Sequence, residues 1–336
     1  MPWVRGMRVS AGVGAALAVG FWFLGPDQGD DLFDLLHRLV LVGPLVSTPL
    51  ALSLLDKPAL PSRWAWLPKV VMAAQPVGAL AALASMALPQ GSPLAGALAA
   101  PWVLVSGLIA AWGLARLWGR GLGNPLARPL EELCVVAGML YLPVGASWLV
   151  ASRLGLELMG FPLVIVTLTA LHFHFAGLAA PILTGLAGRA LAAQPSGPTG
   201  VAWGLYRVSA WSMIFNPILI ALGITVSPLL EVVCAVGLAV GLLGLSGLMM
   251  GRLAPRAKGL LAPILLAVSG LSLVLTMLLA ALYAVGEFLE QGWISISAMA
   301  HSHGWINIVG FALCGLLAWA LDPPPTRDEP TTDSPR

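Results

Sequence analysis

The sequence predicts an all-α polytopic membrane protein, a transmembrane helical bundle of about ten spans with both termini in the cytoplasm. Three observations lead there. The chain is 58% hydrophobic and only 10% charged, whereas a soluble globular chain is about 25% charged. Too little polar surface remains to coat a particle in water. Its apolar runs repeat at lengths of about 18 residues or more, enough to cross a hydrocarbon core ~30 Å thick. Those runs do not alternate apolar with polar positions, as the strands of a membrane β-barrel do.

The spans follow one another at residues 8–24, 33–55, 67–88, 94–115, 132–151, 161–188, 203–225, 228–250, 259–284 and 297–321. Their breaks carry turn and helix-stop chemistry: Gly25-Pro26-Asp27, Asp56-Lys57-Pro58, Pro89-Gln90-Gly91, Asn124-Pro125, Gln194-Pro195-Ser196-Gly197-Pro198 and Ser227-Pro228. Arg5 and Arg8 precede the first run in the manner of a signal peptide. Phe21-Trp22-Phe23 is too bulky for a cleavage site, so the run reads as a retained helix. Residues 1–321 form one transmembrane domain, and 322–336, rich in Pro, Thr, Asp and Glu, read as a disordered cytoplasmic tail.

Charge placement tests the drawing. With the N-terminus in the cytoplasm, 15 of the 17 Lys and Arg fall on inner segments, Lys57, Arg116, Arg120, Arg128 and Arg189 among them. Only Arg38 and Arg153 fall toward the outside, where Asp27, Asp30, Asp31, Glu157, Glu287 and Glu290 also lie. One missed span would scramble this separation. The formal net charge of +2 gives no reason to expect nucleic acid as a partner. Cys134, Cys234 and Cys314 lie inside apolar runs without CxxC spacing, so neither a disulfide framework nor a zinc ribbon is indicated. No phosphate-binding GxxxxGK[ST] loop, soluble domain or internal repeat stands out.

Four of the five histidines occur in two pairs, His172-Phe173-His174 in span 6 and His301-Ser302-His303 in span 10. An ionisable side chain in hydrocarbon is costly, which makes it a candidate functional group. Residues i and i+2 of a helix point about 200° apart. One histidine of each pair therefore faces the bundle interior while the other packs against a neighbour, unless Gly177 and Gly304 let the helix unwind locally. Three readings stand open. His172, His174, His301 and His303 are ligands of a metal ion or haem; His172, His174 and His303 are acid–base groups, oriented by Asn307 and Asn216; or all are polar contacts that hold helices together.

Other patterns carry less. Asp30-Asp31-Leu32-Phe33-Asp34 matches DDxxD, a chelator of magnesium and prenyl pyrophosphates, but no second Asp-rich motif accompanies it. Its ordinary reading is an N-cap on span 2 with an Asp34–Arg38 pair. A variant keeps Asp34, His37, His301 and His303 as a metal site toward the outside. Glu131-Glu132 suits the first turn of span 5. Asn216-Pro217 is a kink site. Trp64, Trp66, Trp102 and Trp293 read as part of an interfacial aromatic belt, and Trp112, Trp148 and Trp211 as packing groups.

At His172-Phe173-His174-Phe175-Ala176-Gly177, at His303-Gly304-Trp305-Ile306-Asn307, and on through Gly310-Phe311-Ala312-Leu313-Cys314-Gly315, the chain resembles the YndJ-like family of bacterial membrane proteins. Gly43-Pro44-Leu45-Val46 and Pro49-Leu50 are also similar. The resemblance implies a multi-pass protein of the bacterial plasma membrane and implies no activity.

The functional expectation is an enzyme acting on a lipophilic, isoprenoid or lipid substrate inside the bundle, by acid–base or metal-assisted chemistry. Its partners would be membrane lipids and a lipophilic small molecule. A small transporter or channel using the same residues, and an assembly factor of a membrane complex, are the alternatives.

Overall fold

A computed structural model describes residues 2–27, 29–56, 60, 62–119 and 129–325. Lys57, Pro58, Arg120, Asn124, Pro125, Arg128 and the tail from residue 326 lie outside them. Among the described residues, ten helical spans are long and apolar enough to cross a membrane. They are α1 (Trp3–Leu24), α2 (Asp31–Ser53), α3 (Ser62–Met86), α4 (Pro93–Trp118), α5 (Leu130–Arg153), α6 (Leu163–Ala192), α7 (Gly200–Val226), α8 (Pro228–Arg256), α9 (Leu261–Phe288) and α10 (Ile296–Leu321). All ten expected spans are present, and the first begins earlier than its apolar run implies.

Asp30 caps α2, its carboxylate accepting the N–H groups of Leu32 and Phe33 at 2.9 and 3.0 Å. This is the capping part of the ordinary reading of that acidic cluster. Just before it, the Gly29 N–H donates to Asp27 at 2.8 Å and holds that carboxyl below the usual carboxylate range. Ser227 caps α8 and Pro228 opens it. Arg38 does not stand free: it lies over the ring of Trp22, 5.6 Å from its centroid.

Four spans are not purely α-helical. Wider π turns interrupt α2 at Gly43–Ser47, α6 at Phe175–Ala179, α8 at Met249–Leu253, and α10 at Ala300–Gly304 and Ile306–Leu313. In α2, α6 and α8 a proline stands two residues beyond the π turn, namely Pro49, Pro181 and Pro255. A proline inside a helix lacks an N–H, and its ring collides with the carbonyl four residues back. Shifting the preceding turn to an i→i−5 pattern relieves the collision. It also leaves carbonyls to be satisfied by other groups, since hydrocarbon offers no water. In α2 the Pro44 carbonyl accepts from Gln75 Nε2 of α3 at 2.8 Å, and Ser10 of α1 donates to Gln75 Oε1 at 2.8 Å. In α10 the Phe311 carbonyl accepts from Ser269 of α9 at 2.8 Å.

The two ends of the bundle differ in chemistry. At one end Arg116 of α4 grips Glu132 of α5 through Nε and Nη2, at 2.7 and 3.0 Å. Arg189 of α6 reaches Glu132 at 3.1 Å and Asp56, just past α2, at 2.9 Å. The first-turn reading of Glu132 was incomplete: it is the hub of a buried ionic network joining four segments. At the opposite end the fully buried Arg153 donates to the carbonyls of Ser85 and Leu88, where α3 terminates, and contacts His37 Nε2 at 3.2 Å. A cation there meets the negative end of the helix dipole. Asp322, in the expected tail, accepts the Lys258 N–H at 2.8 Å.

Two stability results follow from this packing. A Cβ on Gly14 would sit 1.9 Å from the Leu45 carbonyl oxygen, whereas one on Gly12 would meet nothing within 4 Å. Gly14→Ala should therefore destabilise the purified protein by about 1–3 kcal/mol, seen as a lower thermal midpoint, with Gly12→Ala unchanged. Glu132→Gln leaves two buried guanidinium groups short of a partner and should cost about 3–5 kcal/mol. Because the network is buried, added salt should move the wild-type midpoint little.

Candidate functional site

The π turn of α6 packs against the π turn of α2 and against the second π turn of α10, and the histidine pairs stand just before these contacts in α6 and α10. The second half of α6, from its π turn onward, packs chiefly on α5 and also meets α7 and α10. Its first half, Leu163–His174, has α5 and α2 as principal neighbours. The first half of α10 rests chiefly on α2 and α9. The principal contacts between the two helices thus lie beyond the histidines, and the space before them, where His172 is exposed, is the candidate cleft, toward the end that bears Arg153.

His172 and His174 point to opposite sides, as their spacing requires. His174 is wholly buried. Its Nδ1 lies 2.7 Å from the Ala170 carbonyl and must donate to it, while its Nε2 accepts from Trp102 Nε1 at 2.8 Å. Both ring nitrogens are occupied and the neutral tautomer is fixed. Glycines make the space: a Cβ on Gly43 would come 2.8 Å from His174 Cδ2, and one on Gly145 3.0 Å from its Nδ1. Trp102 is a fully buried partner of this histidine, which corrects its reading as an interfacial belt residue. Only its pairing with a polar atom in the core marks it, and sequence carries no sign of that.

His172, on the other side of the helix, is exposed. Its Nδ1 donates to the Leu168 carbonyl at 2.8 Å, so Nε2 carries the lone pair, with no protein partner among the described residues. His303, from α10, lies within electrostatic reach of it. His303 belongs to a closed ring of hydrogen bonds. Its Nδ1 donates to the Thr276 carbonyl at 2.9 Å, its Nε2 accepts from Asn307 Nδ2 at 2.9 Å, and Asn307 Oδ1 lies 3.0 Å from the Thr276 hydroxyl.

This ring can hold a proton. When His303 is protonated at Nε2, a half-turn of the Asn307 amide presents Oδ1 to the new N–H and turns Nδ2 toward the Thr276 hydroxyl oxygen. The Thr276 hydrogen then goes to the Ser272 carbonyl, 2.8 Å away. Each polar atom keeps a partner in both states. Thr276 is a member that sequence reasoning missed, because a threonine inside an apolar helix ordinarily bonds its own preceding turn.

The remaining candidates lie elsewhere. Asn216 packs against Gly237 of α8, where its amide nitrogen would be 3.4 Å from an added Cβ, and does not orient the histidines. His301 is exposed nearer the start of α10 and donates from Nδ1 to the Ser297 carbonyl at 2.8 Å. His37 is engaged by Arg153 and not by His301 or His303. Among the described residues no three His, Cys, Asp or Glu groups come together to hold a metal ion. The divergence of residues two apart, together with the double engagement of His174 and His303, breaks up the four-histidine ligand set and its variant with Asp34 and His37.

A family model for YndJ-like proteins matches residues 38–311. The chain is 30% identical over 227 residues to the "Uncharacterized membrane protein YndJ" of Bacillus subtilis (strain 168), an alignment covering 68% of this chain and 39% of that protein. The chain thus spans about two fifths of the length of that relative. No solved structure matches. The matched segment runs from α2 through the π turns of α10 and contains the whole histidine cleft. This multi-pass membrane protein belongs to the YndJ-like family.

Proposed function

We propose that this protein is an intramembrane enzyme that carries out acid–base chemistry on a lipophilic substrate, an isoprenoid or other lipid, admitted to the cleft between α6 and α10. One observation carries the reading: the exposed His172 offers an imidazole nitrogen with no protein partner among the described residues, within electrostatic reach of the His303 imidazole. A histidine retained only to glue helices would spend that nitrogen on a neighbour, as His174 does. In this mechanism His172 Nε2 takes a proton from the substrate. His303 receives or returns one across the cleft, and Asn307 follows its protonation state by turning its amide. The surrounding hydrocarbon keeps bulk water away in this mechanism, which strengthens each of these interactions. The working membrane would be the bacterial plasma membrane.

The test is a comparison of lipid extracts, by mass spectrometry, from bacterial membranes containing wild-type protein, His172→Phe or neither. Wild type should alter the amount of at least one neutral or isoprenoid lipid. His172→Phe, made at the same level, should reduce that conversion by about 10²–10⁴-fold, the usual contribution of a general base. Identical lipid profiles, with a His172-dependent proton flux in proteoliposomes, would replace this reading with transport.

The hydrogen-bond ring makes a separate prediction. Asn307→Leu leaves His303 Nε2 without a donor and should cost about 1–3 kcal/mol of stability. Asn307→Asp sets an acceptor against that lone pair. Nitrogen-15 spectra at neutral pH should then show His303 protonated at both nitrogens, where the wild type shows hydrogen on Nδ1 alone.

A further inference from the structure

Resting on the reading of the cleft as a substrate site, we infer that its ligand is an uncharged lipid carrying a hydroxyl group, of the isoprenoid-alcohol kind, whose O–H donates to His172 Nε2. Three observations converge. The first is the tautomer. A carbonyl oxygen can only accept, so the Leu168 contact at 2.8 Å puts the ring hydrogen on Nδ1 and leaves Nε2 as an acceptor. A ketone, ester or ether would meet lone pair with lone pair; a hydroxyl completes the bond.

The second is the absence of balancing charge. Among the described residues, His172 is the charged or titratable side chain that acts on His303, and His172 itself has only its own backbone contact. Among the described residues Arg116 and Arg189 are held by Glu132 and Asp56 at one end, Arg153 by the α3 carbonyls at the other, and Arg38, stacked over Trp22, is not among the groups that act on either histidine. A phosphate or carboxylate beside His172 would be an unpaired ion away from water, which costs far more than one hydrogen bond returns.

The third is depth. His172 lies nine residues on from Leu163, where α6 begins, so the imidazole is about 14 Å along the helix, near the midplane of a core ~30 Å thick. A lipid with a charged headgroup keeps that group at the interface and cannot bring it here. A weakly polar lipid that dissolves in the membrane interior can. The other wall offers no competing donor, since the ring nitrogens of His303 are both engaged.

The test uses the full chain in nanodiscs of zwitterionic phospholipid, with farnesol, farnesyl methyl ether and farnesyl phosphate as probes. The readout is the nitrogen-15 shift of His172 Nε2 against the mole fraction of probe in the bilayer. Farnesol should shift it saturably, with half-saturation at a mole fraction about tenfold lower than the methyl ether, one hydrogen bond's worth of selectivity. Farnesyl phosphate should leave it unmoved, and His172→Phe should abolish the farnesol-dependent rise in thermal midpoint. Equal affinity for alcohol and ether, or tighter binding of the phosphate, would overturn the inference. The ether comparison is made on the wild-type protein and stands even if the variant misfolds. Farnesol binding without any change in membrane lipids would uphold this ligand class and remove the enzymatic reading. A His172-dependent lipid change with preferred binding of the phosphate would do the reverse.

Discussion

Inside hydrocarbon a backbone carbonyl has no water to turn to, and this requirement shapes the bundle more than any single apolar contact. Prolines in the interior of α2, α6 and α8 force it into the open. Each removes one N–H and pushes the preceding turn into the π pattern, and the freed oxygens have to be met from outside the helix. Gln75 meets Pro44, with Ser10 behind it, and that chain of contacts binds α1, α2 and α3 together. Gly14 then lets α1 approach the Leu45 backbone closely. The widened turns are also where α2, α6 and α10 gather, so the defect that proline creates becomes the place where polar side chains are tolerated.

The same need explains the later helices. Ser209 donates to the Gly241 carbonyl, Ser246 to that of Gly270 and Ser269 to that of Phe311, at 2.7, 2.7 and 2.8 Å. A hydroxyl from each helix thus reaches the backbone of the next, from α7 through α10. Each such bond contributes modestly in a membrane, but the small residues beside them matter as much. A Cβ on Gly241 would lie 2.5 Å from Ser212 Oγ, and one on Gly310 2.2 Å from Ser272 Oγ. The ionic network around Glu132 closes one end of the bundle and Arg153 caps α3 at the other. Between them lies the α6–α10 contact.

Much of this was legible before any coordinates. Span number follows from the length of apolar runs, and the Asp30 cap from its place before α2. The proline-linked π turns had a signal in Pro49, Pro181 and Pro255, although a proline announces a disturbance and not its form. What could not be read are the contacts between residues distant in sequence. Glu132 looks like a dipole-favoured carboxylate until Arg116 and Arg189 arrive, 16 and 57 residues away. Trp102 looks interfacial until His174, 72 residues on, is placed beside it. Tryptophan in an apolar run gives the same local pattern whether it faces a headgroup or a buried imidazole.

The histidine pair in α6 shows where pattern reasoning stops and geometry begins. Spacing alone says that His172 and His174 diverge; it cannot say which one faces an opening. That choice is made by neighbours. Gly43 and Gly145 leave room for the His174 ring, and Trp102 closes that space with a hydrogen bond. With His174 locked on that side, the helix rotation is set, and His172 is turned to the side where α6 and α10 part. The buried histidine therefore acts as the peg that aims the accessible one. Two identical side chains two residues apart can hold opposite roles because one has every valence of hydrogen bonding filled and the other has one left open.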